Sequence, residues 1–247
     1  MKELTIRDDP ILKHQRINLL QKVCSVLNEN DINYFLTCGT LLGYIRENDF
    51  IEWDTDIDIG LFDISEVLKL KNHFWKLGLS CNQKNSYHFS PKLHIIDKEL
   101  DVDSEFHVDL YEFENTNDGI IFKFSVKPAY VEIIRKVVLE VVRVVFKPKY
   151  PRPNSVFEIM DTSGIPITWK QWSSRLQEWI KKNFYKQGIH IFEPFTSVKV
   201  LWFGTLVKIP SSPIDHLRLL YGDEWDIPQP NYKRSKERQR NVRRVKL

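Results

Sequence analysis

Cysteine is scarce in this chain: Cys24, Cys38 and Cys81 are all there are. An odd number with no C-x-x-C pair excludes a disulfide framework and a zinc knuckle, and it fits a reducing compartment in which buried thiols act as small apolar side chains. Runs of about 20 uncharged apolar residues are also missing, so no membrane-crossing helix is expected. Met1 to Asp9 holds no basic stretch followed by an apolar one, so no secretory signal is expected. The expectation is a cytoplasmic protein, at most peripheral to a membrane. Three nucleotide and metal signatures are absent as well: the G-x-x-x-x-G-K-[ST] loop, the G-x-G-x-x-G fingerprint and the H-E-x-x-H helix.

What is present suits a packed core. Hydrophobic residues make up 42% of the 247 and aromatics 13%, unlike a disordered chain. The net charge of +3 conceals an asymmetry. Residues 233–247 carry eight Lys/Arg against Glu237 alone, which leaves residues 1–232 at −4. Basicity is therefore confined to a tail, expected to be disordered and suited to peripheral contact with an anionic membrane surface. Nucleic acid is not an expected partner, because the body is acidic and the tail lacks the interleaved aromatics of a base-stacking surface.

Periodicity predicts a helix over 10–29, with Leu12, Leu19, Leu20, Val23 and Leu27 on its apolar stripe. A short strand, Tyr34 to Cys38, then runs into Gly39, and Thr40 is read as the cap of a helix from Leu41 to Glu47. Asp56 to Phe62 alternates as a strand, and one helix is expected from Ser65 to about Leu77. Candidate strands follow at 87–89, 93–96, 106–113 and 120–126, with a hairpin turn over Asn115 to Gly119. Residues 130–147 read as an amphipathic helix, because Ile134, Val137, Val138, Val141, Val142 and Val145 keep helical spacing despite their β propensity. Tyr150 to Pro153 reads as a linker, and the tryptophan-rich helix 168–183 opens a C-terminal lobe. The expected organisation is a catalytic core over 1–150, a helical and aromatic lobe over 151–232 that completes the site, and the tail 233–247. Alternating strands and helices followed by antiparallel strands indicate an α+β fold built on one mixed sheet flanked by helices.

The densest chemical signal is Asp54-Thr55-Asp56-Ile57-Asp58 behind Gly39-Thr40. In a strand, positions i, i+2 and i+4 share a face about 6–7 Å apart, so three carboxylates would project together and repel one another. A hard dication such as Mg²⁺ or Mn²⁺ resolves that conflict. An EF-hand is excluded: counted from Asp54, the required glycine and glutamate positions hold Ile59 and Ser65. Asp109, between apolar residues on a later strand, is the favoured further ligand, ahead of Asp101 and Asp103. Two dications about 3.5–4 Å apart would activate an attacking oxygen and stabilise a leaving phosphate. Gly39-Thr40, at a strand-to-helix junction, would offer N–H groups to a phosphate.

Gly39-Thr40-Leu41-Leu42-Gly43-Tyr44-Ile45-Arg46, then Phe50 to Ile59, resembles the signature of the LicD/fukutin family, within the DNA polymerase β-like nucleotidyltransferase superfamily. Trp202-Phe203-Gly204, Ile209-Pro210 and Tyr221 to Pro228 resemble that family's closing motif. Glu52 and Thr55 depart from its commonest pattern but leave the D-x-D pair intact. The resemblance implies a nucleotidyltransferase-like fold and a phosphotransferase. Such an enzyme moves phosphocholine or a phospho-polyol from a CDP-linked donor to a sugar hydroxyl of a glycan or lipid-linked glycan. It also implies that Asp56 and Asp58 hold metal, that Asp109 completes the site, that Asp54 binds or orients a ligand, and that Arg46 or Lys208 meets the donor phosphates. The competing expectations are an NTP-using nucleotidyltransferase and a non-catalytic binding module.

Overall fold

A computed structural model describes residues 9–84, 92–98, 106–126 and 186–228, with a few positions between 130 and 180. The expected strand at 87–89, the linker at 150–153 and the tail lie outside the described residues, as do most of the expected helices 130–147 and 168–183. The described positions of those two helices, Tyr130, Val131, Ile133, Ile134, Val137, Trp179 and Ile180, are helical. The chain divides into two compact units. One contains residues up to 86, 90–124 and 188 onward; the other contains 87–89 and 125–187.

The first unit begins with α1 (Pro10–Glu29), whose Asp9 cap accepts hydrogen bonds from the N–H groups of Ile11 and Leu12. Its stripe of Leu19, Leu20, Val23, Cys24 and Leu27 is fully buried. After β1 (Tyr34–Leu36) the chain turns into α2 (Cys38–Glu47), then β2 (Asp56–Leu61). The helix expected at 65–77 is two short ones, α3 (Ile64–Lys69) and α4 (Lys71–Lys76). The break falls at Leu70, whose N–H bonds to the Val67 carbonyl three residues back rather than four. Then come β3 (Leu79–Lys84), β4 (Lys92–Asp97), β5 (His107–Thr116) and β6 (Gly119–Val126). The last two form the expected hairpin about Asn117-Asp118.

In the second unit β7 (Ile159–Met160) and β8 (Pro166–Ile167) form a small antiparallel ladder. The chain then supplies β9 (Lys186–Phe192), the hairpin β10 (Ser197–Trp202) and β11 (Thr205–Pro210), and α5 (Pro213–Tyr221).

The main sheet runs β1-β2-β5-β4-β3, with β6 on β5 and β9 on β6. It is mixed, as expected. The β2–β5 pair is parallel, while β1–β2, β4–β5, β3–β4 and β5–β6 are antiparallel. Ile57, Ile59 and Leu61 of β2 and Val108 and Leu110 of β5 are fully buried and join the α1 stripe in one apolar core. The alternation that buries these residues turns Asp56, Asp58 and Asp109 to the other face.

Candidate active site

Asp58 is the best-anchored residue of the site. Its carboxylate accepts from the Gly39 N–H (2.9 Å), its own N–H donates to the Thr40 hydroxyl (2.8 Å), and its carbonyl accepts from the Thr37 N–H (3.1 Å). The β1–α2 turn makes this possible, with Thr37 as the helix cap and Cys38 in the left-handed region at φ +46°. A side chain at residue 39 would collide with the Asp54 carboxylate and stand 3.4 Å from that of Asp58. Any larger residue there must displace the Asp54 carboxylate. Gly39 and Thr40, expected to meet a phosphate, are engaged in holding this aspartate.

Asp54 reaches the cluster differently from the sequence expectation. β2 starts only at Asp56, and Asp54 lies in the preceding loop. Even so, Asp54, Asp56 and Asp58 each bring an oxygen within 4.8 Å of the other two. Arg16, on the apolar stripe of α1 and 1% exposed, holds that loop in place. Its guanidinium donates to the Asp56 carbonyl (2.6 Å) and the Ile51 carbonyl (3.4 Å), lies 4.0 Å above the Phe50 ring and comes within 4.0 Å of Asp54.

The electrostatics follow from that geometry. Burial pushes the Asp54 carboxyl up to about 8, reinforced by its hydrogen bond to Asp56 and the charges of Asp56 and Asp58, with Arg16 opposing. Arg16 is thus the cation that opposes the rise at Asp54. An all-oxygen donor set of this kind fits Mg²⁺ or Mn²⁺.

Asp109 stands opposite Asp58 in the parallel β2–β5 register, and His107 stands opposite Asp56. Tyr111 donates to Asp109 Oδ2 at 3.3 Å, while Oδ1 is 2.7 Å from His94 Nε2 and 3.7 Å from His107 Nε2. His94 arrives from β4, where it pairs directly with Asp109. The two imidazoles stack at 4.7 Å and 11°.

Beside the ladder lies a cleft of about 380 Å³, with Asp54 and Asp56 in its lining. Arg46, Trp53, Tyr221, Glu224 and Trp225 contribute to its walls. The end of α5 and the segment just after it thus line the same cleft as Asp54 and Asp56. Arg46 pairs with Glu47 (2.6 Å) on that wall. Lys208 is not brought to the cleft: its ammonium donates to the Ile32 carbonyl (2.7 Å), ahead of β1, because strand alternation turns it toward Tyr34.

Sequence reasoning missed Arg16 and His94. Arg16 falls four residues after Leu12 and three or four before Leu19 and Leu20, and a cation on a buried stripe is itself a signal. No linear spacing marks His94, which meets Asp109 only through strand pairing.

A family model described as LicD/FKTN/FKRP, nucleotidyltransferase domain, matches residues 31–155. Lipopolysaccharide cholinephosphotransferase LicD of Haemophilus influenzae is 39% identical over 59 residues, 24% of this chain and 21% of that protein. Protein RP689 of Rickettsia prowazekii is 26% identical over 99 residues, 36% of this chain and 37% of that one. The matches thus span well under half of either relative. Among solved structures, a solution structure of the antibiotic-resistance factor ANT(2'')-Ia aligns over 93% of this chain and 83% of its own, at 11% identity and a TM-score of 0.40. A crystal structure of ANT(2'')-Ia with adenylyl-2''-tobramycin aligns over 43% and 54%, at 13% identity and a TM-score of 0.32.

Proposed function

The chain belongs to the LicD/FKTN/FKRP nucleotidyltransferase-domain family, and from that premise we propose that it is a metal-dependent phosphotransferase. It moves phosphocholine or a phospho-polyol from a CDP-linked donor to a sugar hydroxyl of a glycan or lipid-linked glycan, and it releases CMP. The observation that carries this reading is the convergence of Asp54, Asp56 and Asp58 within 4.8 Å of one another beside a cleft. Phosphocholine is favoured over a polyol by the cleft's other residues. Trp53, Tyr221 and Trp225 are aromatic and Glu224 is acidic, a combination of residue types suited to a quaternary ammonium.

Asp54, Asp56 and Asp58 would hold Mg²⁺ or Mn²⁺, with Asp109 extending the site. The ion, when bound, supplies Lewis-acid charge at the donor's phosphate oxygens. Arg46 adds a cation on the cleft wall for the same phosphates. The acceptor hydroxyl forms a bond to the donor's β-phosphorus. The bond from that phosphorus to the bridging oxygen breaks, its electron pair stays with CMP, and the hydroxyl proton is released. Asp58, fixed through three backbone and side-chain contacts, keeps its carboxylate oriented without rearrangement.

The test is incubation with CDP-choline, CDP-ribitol or CDP-glycerol, Mg²⁺ and candidate glycans. CMP release is expected, strongest with CDP-choline, and absent in Asp56→Ala and Asp58→Ala. Pyrophosphate from an NTP with no CMP from any CDP donor would replace this reading with nucleotidyl transfer.

A further inference from the structure

The turn that fixes Asp58 is tied by one buried hydrogen bond to the helix that ends in the cleft wall. Thr37, ahead of α2, is fully buried, and its hydroxyl lies 2.9 Å from Nε2 of His216, itself 2% exposed on α5. We propose that His216 is a positioning residue of the transfer site: it holds the Thr37 turn, and with it Asp58, in place against the wall that α5 carries. The inference rests on the reading of Asp54, Asp56 and Asp58 as a metal site.

Thr37 occupies a capping position without using its side chain as a cap. A threonine there ordinarily accepts from an N–H of the first helical turn, but the Thr37 hydroxyl makes no such bond. Its contacts are Nε2 of His216 and, at 3.9 Å, the Cys38 thiol. The Gly39 N–H, which a cap would take, is bonded to the Asp58 carboxylate instead. The proposed metal ligand therefore caps α2, and the residue at the cap position faces α5. Through its backbone Thr37 stays joined to Asp58, whose carbonyl accepts its N–H at 3.1 Å.

The other end of the bond is held as firmly. Phe35, Phe113, Phe192 and Phe195 pack around the His216 ring, with Phe192 stacked on it at 4.3 Å. Burial favours the neutral imidazole, and Nδ1 has no hydrogen-bond partner among the described residues. Another phenylalanine would suit these neighbours. An imidazole adds one directional bond, and that bond goes to Thr37. Leu217 and Leu220 of the same helix are buried, so apolar packing fastens α5 and the polar bond sets where it sits. Tyr221 closes α5 and, with Glu224 and Trp225 beyond it, lines the cleft beside Asp54 and Asp56. A shift of α5 against the Thr37 turn would move that wall relative to the carboxylates.

The experiment measures the Mn²⁺ affinity of metal-stripped full-length protein by electron paramagnetic resonance, and kcat for CMP release from CDP-choline. Thr37→Val and His216→Phe each delete the bond while keeping the shape. Each is expected to lower Mn²⁺ affinity ~10-fold, the low end for groups that orient a ligand, and to lower kcat by at least as much. The double variant should lose no more than either alone, because all three lack the same bond. His216→Gln, whose amide can reach the Thr37 hydroxyl, should recover most of the loss. If His216→Phe does not fold, Thr37→Val decides alone. Wild type that binds Mn²⁺ but releases no CMP from any CDP donor would sink the transferase reading and leave Mn²⁺ affinity to judge the tie. Melting temperatures that fall while Mn²⁺ affinity and kcat keep their wild-type values would overturn the inference. So would His216→Gln no better than His216→Phe, or wild type that binds no Mn²⁺.

Discussion

Arg16→Met removes a cation buried beneath the ladder while keeping a long apolar side chain. The 2.6 Å bond to the Asp56 carbonyl is short and charge-assisted, about 1.5–3 kcal/mol, whereas the 3.4 Å bond to Ile51 contributes little. The desolvated contact with Phe50 adds ~2 kcal/mol. Against these losses stands the relief of no longer burying a guanidinium, itself several kcal/mol. Removing one partner of a buried charged arrangement has a net cost of about 3–5 kcal/mol, so the partner terms win. For a chain of this size the melting temperature should fall by roughly 6–10 °C. Thermal and urea melts of the apoprotein followed by circular dichroism would measure it, with Arg16→Lys expected to fall in between. A melting temperature within about 2 °C of wild type would mean that Arg16 is a passenger, and the account of the loop would be wrong.

Gly39→Ala should cost about 1–3 kcal/mol through overpacking against Asp54. It should lower CMP release ~100-fold, because carboxylates displaced by an ångström lose the working geometry; a steady-state assay beside a urea melt checks both. The raised carboxyl of Asp54 means that the native apoprotein binds a proton its unfolded chain lacks between about pH 4 and pH 8. Stability should therefore fall as pH rises through that window, by up to ~1.4 kcal/mol per unit, and Asp54→Asn should flatten the slope in urea melts. Mg²⁺ binding displaces that proton, so affinity by calorimetry should climb toward pH 8 in wild type and not in Asp54→Asn. His216, bonded to Thr37 at 2.9 Å among Phe35, Phe113, Phe192 and Phe195, is held down to about 3, first by burial and then by His190. Its lowered value gives stability that is complete above pH 6.5 and lost toward pH 3, about 2 kcal/mol by pH 5. His216→Gln should remove much of that acid sensitivity in melts at pH 7 and pH 5.

The local patterns in the chain predicted much of this. Apolar alternation in Ile57, Ile59 and Leu61 is a one-dimensional signal, and it gave both β2 and the face on which Asp56 and Asp58 stand. The same logic located Asp109 and the Asn117-Asp118 turn. Features that depend on what a segment packs against were out of reach. The i, i+2, i+4 rule extended one step too far, to Asp54, because nothing local announces that Arg16 clamps the chain into a loop there. The break at Leu70 is one backbone hydrogen bond, invisible in a continuous helical pattern. Lys208 has the right charge for phosphate, but the face it takes on β11 turns it toward Ile32. His94 meets Asp109 only because β4 and β5 pair in one register, and a sequence does not state its registers.

The threefold hold on Asp58 has a consequence for how this chain can change over generations. Its N–H and carbonyl are taken up by Thr40 and Thr37 whatever the side chain, while its carboxylate holds the Gly39 N–H, so under the proposed reading one side chain serves fold and chemistry at once. A descendant released from catalysis would shed Asp56 early, since that side chain sits half-exposed at the start of its strand. It would keep Asp58 longer, because the Asp58 carboxylate accepts from the buried Gly39 N–H. An aspartate at position 58 is thus weak testimony that a relative is active, and the one at position 56 is the better witness.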